Sequence, residues 1–287
     1  MTARPLPPWL RSGRVLTGLA IVLFMSFLAL FAPWLAPNDP GEQDLIATLL
    51  PPAWAAGGDA MYPLGTDSLG RCVLSRLIYG ARVALTVALL ASVGAMVIGA
   101  VLAHVAGYFG GWVDWAIGRV VDIWLSFPPV ILSLILMVGL GTGIQNVILA
   151  IVLVDWTRFC RVMRAEVLVV SRKDYVSAAR LLGFSHWRTV TREVAPATIP
   201  LLITLMSLEM GVAVIVEAIL SFVGMSVGAD TPAWGQMIAD ARLNIYHAPW
   251  NLICPILAIF VTVFGFNILG DGLRRTLDTR LTQTERA

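Results

Sequence analysis

The chain has 287 residues, of which 13% are charged and 58% hydrophobic, with 25 glycines and 16 prolines. Soluble globular domains carry about 25% charged residues, so this composition excludes an ordinary water-facing domain, and its glycine and proline exclude a coiled coil or a disordered tail. Lys173, the only lysine, follows Ser171-Arg172 and no glycine run, which excludes a Walker A nucleotide loop; a net charge of +2 without a basic block argues against a nucleic-acid surface.

A membrane-crossing helix needs about 20 apolar residues. Charge-free stretches of that order run over 15–38, 83–113, 123–154 and 243–270, and a shorter one over 194–208 resumes past Glu209 and Glu217. In chain order, an N-terminal segment 1–14 with Arg4, Arg11 and Arg14 precedes a first span at 15–36. Its apolar run exceeds the core of a secretory signal, so a retained anchor is expected. The segment 37–83 is external, too broken by Pro40, Pro51, Pro52, Gly57, Gly58, Pro63 and Gly65 for a span. Within it, 67–82 predicts a helix capped by Asp67 or Ser68. Two readings fit Asp67, Arg71, Arg76 and the later Trp234: contacts to an external partner or substrate, or a local turn with the arginines at lipid headgroups.

The second span is predicted at 84–106 and the third at 118–139, kinked beside a cavity by Pro128-Pro129. Gly139-Leu140-Gly141-Thr142-Gly143 makes a hairpin tip before the fourth, 144–164. After a loop at 165–198 comes the fifth, 199–225, with Glu209 and Glu217 about two turns apart on one seam. Intramembrane carboxylates line a pathway or subunit interface, or make helix-packing hydrogen bonds; the second reading is favoured for Glu217. An external loop at 226–250, a sixth span at 251–270 and a tail at 271–287 complete an all-α, six-span membrane protein. Sixteen of the 20 cations fall on the side of the termini; Arg71, Arg76, Arg82 and Arg242 fall opposite, so both termini are expected in the cytoplasm. Cys72, Cys160 and Cys254 are too far apart for a metal clip and read as small buried hydrophobes.

The cytoplasmic loop is the most informative segment. Tyr175, Ala178, Ala179 and Leu182 follow Asp174 at i, i+3, i+4 and i+7 positions, predicting one apolar stripe on a short helix. Gly183 falls where a left-handed cap belongs, and Ser185 can cap a second helix with Trp187, Val190 and Val194 on one face. Pro196 and Pro200 lead into the fifth span. Helix, glycine corner and helix make a knob for a groove on another protein; an amphipathic helix on the inner leaflet is the alternative.

Ser177-Ala178-Ala179-Arg180-Leu181-Leu182-Gly183, with Pro196 downstream, resembles the EAA loop of permease subunits of binding-protein-dependent ABC importers. Ser177 stands where that family usually has glutamate and Ala195 where it has leucine, so one expected polar contact is missing. The resemblance continues through Pro63-Leu64-Gly65-Thr66-Asp67-Ser68-Leu69-Gly70-Arg71, Gly107-Tyr108-Phe109-Gly110-Gly111, Glu217-Ala218-Ile219-Leu220-Ser221-Phe222-Val223-Gly224, Thr231-Pro232-Ala233-Trp234-Gly235 and Asn267-Ile268-Leu269-Gly270-Asp271-Gly272-Leu273-Arg274, which look like the dipeptide, oligopeptide and nickel branch. It implies a permease domain over 84–273 in the bacterial inner membrane, with the corner from Asp174 to Gly183 seated in an ATPase cleft. A second related permease, two cytosolic ATPases holding ATP and Mg, and an extracytoplasmic binding protein are the implied partners; this chain would bind no cofactor. Peptides or similar small solutes are the implied cargo, with nickel or a metal chelate the alternative.

Gly224-Met225-Ser226-Val227-Gly228 also fits the G-x-S-x-G nucleophile pattern. That elbow needs a preceding strand and His and Asp partners, and here it ends a predicted membrane helix, which leaves an intramembrane hydrolase as a remote rival. A self-contained channel or carrier is another, against which no inverted halves are visible.

Overall fold

The computed structural model describes residues 12–228 and 230–277. Its helices are α1 (Gly13–Leu30), α2 (Ala32–Leu35), α3 (Val73–Phe109), α4 (Gly111–Leu125), α5 (Pro129–Leu140), α6 (Ile144–Val170), α7 (Asp174–Leu181), α8 (His186–Thr189), α9 (Ala195–Phe222), α10 (Trp234–Ala241) and α11 (Trp250–Leu277). Among the described residues no sheet forms; Thr66 and Cys72 make one isolated bridge. The predicted tail past residue 277 and the segment before residue 12 lie outside the described residues.

Among the described residues four helices are long and apolar enough to cross a membrane: α1, α3, the continuous run from His186 to Phe222, and α11. The pair α4 and α5 adds a fifth, bent by 86°. The helix at the predicted fourth span, α6, is long enough but carries Asp155, Arg158, Arg161 and Arg164.

Besides a break at Phe31 in the first span and the extension of α11 past residue 270, these helices depart from the predicted boundaries in four places. Helix α3 starts at Val73, absorbing the predicted external helix into the second span; its N-cap is Cys72, with no side-chain cap, rather than Asp67 or Ser68. The third span is two helices, because Pro128 is held extended and Pro129 opens α5, where a missing N–H costs nothing. Helix α6 runs on to Val170. A π turn over Val190–Val194 joins α8 to α9, so the fifth span grows out of the cytoplasmic loop without a break.

Small side chains let the helices approach where lipid gives no hydrophobic push. Ala84, Val87, Ala88 and Ala91 of α3 are buried with Val147, Ala150 and Ile151 of α6, while α1 lies on α11, and α9 on both α11 and α3. Gly107 belongs to this packing: a Cβ there would stand 2.7 Å from Val167 Cγ1. Nearer the corner a second cluster gathers Ala103, Val121, Trp156, Phe159 and Met163, and Arg164 clamps α6 to α4 through both oxygens of Asp114, its Nη2 donating to Oδ2 at 2.6 Å. Cys72 and Cys160 are buried and Cys254 half-buried, all as free thiols.

Candidate functional site

The corner between α7 and α8 is built as a closed local unit. Leu182 N donates to Ala178 O, Gly183 N to Arg180 O and Phe184 N to Ala179 O at 3.0–3.1 Å, a pairing that satisfies the last carbonyls of α7. The closure needs the left-handed region at Gly183, which has φ +86°. Ser185 Oγ then accepts from Arg188 N at 3.3 Å and caps α8.

The two predicted apolar stripes each split. Val176 turns inward onto Val167, Val170 and Val194 and Ala179 is buried, whereas Tyr175, Ala178 and Leu182 stay on the surface. Trp187 is likewise outside while Val194 is fully buried, because the π turn shifts the register between them. Leu181 is 90% exposed and Leu182 80%. Asp174 opens α7, Ser177 is exposed, and Pro196 is exposed in the first turn of α9. Partial burial, with Glu193 nearby, holds the Tyr175 phenol above its ordinary pKa. The corner is anchored from below by Tyr108 Oη, 3.1 Å from His186 Nδ1. This assembly presents an apolar tip on a rigid stalk and holds no catalytic arrangement.

The outer residues behave differently. Asp67 Oδ1 accepts from Leu69 N and Arg71 N at 2.9 and 3.0 Å, its Oδ2 accepts from Arg71 Nε at 2.7 Å, and Arg76 Nε stands 3.8 Å from Oδ2. Arg71 Nη2 reaches Asp240 Oδ2 at 3.2 Å. Trp234 is 1% exposed; its Nε1 donates to Leu77 O at 3.0 Å and its ring lies where a Cβ on Gly80 would intrude at 2.6 Å. The Thr66 hydroxyl donates to Ala47 O, and Asn251 Nδ2 donates to Thr66 O at 3.0 Å. Asp67, Arg71 and Trp234 thus form an internal clamp tying the external segment to α3, α10 and α11, rather than an open contact face. Sequence reading missed Asp240, whose only signal is its place on the same short helix as Trp234.

Within the spans, Glu209 and Glu217 part company. Glu217 is buried and accepts from Ser226 Oγ at 3.0 Å, a packing hydrogen bond between the end of α9 and the following loop. The same bond buries Ser226, and Met225 N donates to Leu220 O at 2.9 Å; the G-x-S-x-G match is a helix terminus. Glu209 instead accepts from Arg158 Nη1 at 3.4 Å.

Residues 95–283 match the family model described as binding-protein-dependent transport system inner membrane component. Residues 10–52 match that for the N-terminal TM domain of oligopeptide transport permease C. The dipeptide transport system permease protein of Escherichia coli is 43% identical over 273 residues, 95% of this chain and 91% of that one. The di/tripeptide transport system permease protein of Pseudomonas aeruginosa is 40% identical, covering 93% and 88%. The nickel transport system permease protein of Escherichia coli is 40% identical, covering 94% and 95%. A crystal structure of an amino acid ABC transporter with histidines superposes with a TM-score of 0.55 at 17% identity, over 70% of this chain and 94% of that one, a likeness of fold. The chain belongs to the binding-protein-dependent transport system inner membrane components: it is a non-catalytic, multi-span permease subunit of an ABC importer, a family that works with ATPase and binding-protein partners.

Proposed function

We propose that this chain forms half of an inner-membrane path for dipeptides or oligopeptides, paired with a second, homologous permease. Two cytosolic ATPase subunits, which hold ATP and Mg, drive it, and an extracytoplasmic binding protein delivers the cargo. This chain holds no cofactor of its own. Both termini and the loop 165–198 lie in the cytoplasm, a reading supported by the sixteen-to-four division of cations.

The observation that carries the proposal is the corner itself. Two leucines 80–90% exposed at the end of a helix whose carbonyls at Ala178, Ala179 and Arg180 are closed are costly in water and productive in a cleft on a partner. Asp174, Tyr175, Ser177, Ala178, Leu182 and Gly183 form its outer surface, with Ala179 and Pro196 fixing its seat. Gly183→Val puts a β-branched residue at φ +86°, which costs about 1–3 kcal/mol locally. Dipeptide uptake and co-purification of the ATPase should both fall about tenfold while membrane insertion persists; normal ATPase association in that variant would count against the docking role. The nickel-permease relative supports nickel as a second reading, and uptake of labelled dipeptide and of Ni²⁺ by one assembled complex separates the two.

A further inference from the structure

Neither the corner nor the outer clamp explains three charges at mid-height in the seam between α6 and α9. Asp155 and Arg158 lie one turn apart on α6; Arg158 Nη1 stands 3.4 Å from Glu209 Oε2 and Arg158 Nε 3.9 Å from Asp155 Oδ1. At 1.5 Å per residue, Arg158 lies about 21 Å from Ile144 and about 18 Å from Val170 along α6. Glu209 lies about 21 Å from Ala195 and about 20 Å from Phe222 along α9. All three therefore sit near the middle of their helices, and α9 belongs to a run long and apolar enough to cross a membrane.

Their burial is uneven. Asp155 is 4% exposed and accepts no hydrogen bond among the described residues, its nearest cation being Arg158 at 3.9 Å. The Arg158 side chain is 34% exposed. A guanidinium that open beside a membrane-crossing helix does not face acyl chains; such groups turn toward water-filled cavities or the interior of an assembly. Two carboxyl groups also face one guanidinium, so one of them is left without a cation of its own. Glu217 offers no such opening, because Ser226 closes it.

We infer that Asp155, Arg158 and Glu209 form a charge filter on the translocation path, at which the excess carboxylate receives a cationic group of the passing cargo: a peptide ammonium. Arg158 holds the two carboxylates in place and supplies a counter-charge for the cargo's carboxylate. The inference rests on the peptide-permease reading above.

The test uses the assembled complex of permeases and ATPases in proteoliposomes supplied with the binding protein. Uptake is measured for labelled dipeptides of net charge +1, 0 and −1. Glu209→Gln should lower uptake of the cationic dipeptide about tenfold relative to the anionic one, the fold-change that corresponds to about 1.4 kcal/mol, while the ATPase still co-purifies. Asp155→Asn should shift the ratio in the same direction; it removes no hydrogen bond and decides the matter alone if Glu209→Gln does not assemble. Equal loss for all three dipeptides, or an unchanged ratio, overturns the filter and leaves the triad a packing role. If the wild-type complex carries Ni²⁺ and no dipeptide, the peptide reading fails by itself. The filter then stands if Glu209→Gln lowers Ni²⁺ uptake about tenfold relative to Glu217→Gln, and falls if the two variants lose it equally.

Discussion

At the outer end of the molecule Arg71, Arg76 and Trp234 turn into the protein, whereas at the inner end Leu181, Leu182 and Trp187 are left outside it. From residue type alone the expectation runs the other way, with charges and a tryptophan reaching for partners and leucines seeking a core. The outer charges are occupied because Asp67 takes two backbone donors and a guanidinium within 3.0 Å. The inner leucines are stranded because α7 is only eight residues long and spends Val176 and Ala179 on its single buried face. A short helix has no second face to bury. The contact surface of such a protein is found by counting which groups already have partners inside the chain.

The contrast can be broken at the outer end first. Trp234→Ala removes a fully buried indole and with it the extra donor to the Leu77 carbonyl, and should cost about 3–5 kcal/mol, read as a lower melting temperature in detergent. If instead the variant melts normally and only uptake falls, the outer end is a contact face after all. Asp67→Asn should cost about 1–3 kcal/mol by leaving Arg71 and Arg76 under-compensated, with ATPase co-purification unaffected. At the inner end Ser185→Ala removes the cap of α8 and should cost about 1 kcal/mol. Limited proteolysis of the 165–198 loop would report it as faster cleavage; an unchanged rate would show that the corner holds its shape without the cap.

The long apolar helices were legible because lipid imposes one rule along their whole length, and charges mark where the rule stops. Gly183 and Ser185 were legible because a left-handed cap and an N-cap are made by single residues in local sequence. The extent of α3 was not, since the hydrogen bonds that begin it at Val73 continue through Arg76, a cation that reads as a boundary until Asp67 is seen beside it. The 86° bend was legible as a kink in Pro128-Pro129 but not in its size, which the extended Pro128 and the restart at Pro129 together set. Glu209 was legible as an intramembrane carboxylate, but its partners on α6 were not, because Arg158 lies 51 residues away in sequence and only the packing of α6 on α9 brings it to Glu209.

Helix α3 runs unbroken from Val73 to Phe109, a span of about 54 Å at 1.5 Å per residue. Its outer end is gripped by Trp234 at Leu77 and Gly80, and its inner end meets the corner through Tyr108 and His186. A rod with both ends held behaves as a lever: tilting it by 10° about one end carries the other about 9 Å. A tilt imposed at the corner is therefore passed to Trp234 and the outer clamp with no bending of the helix in between.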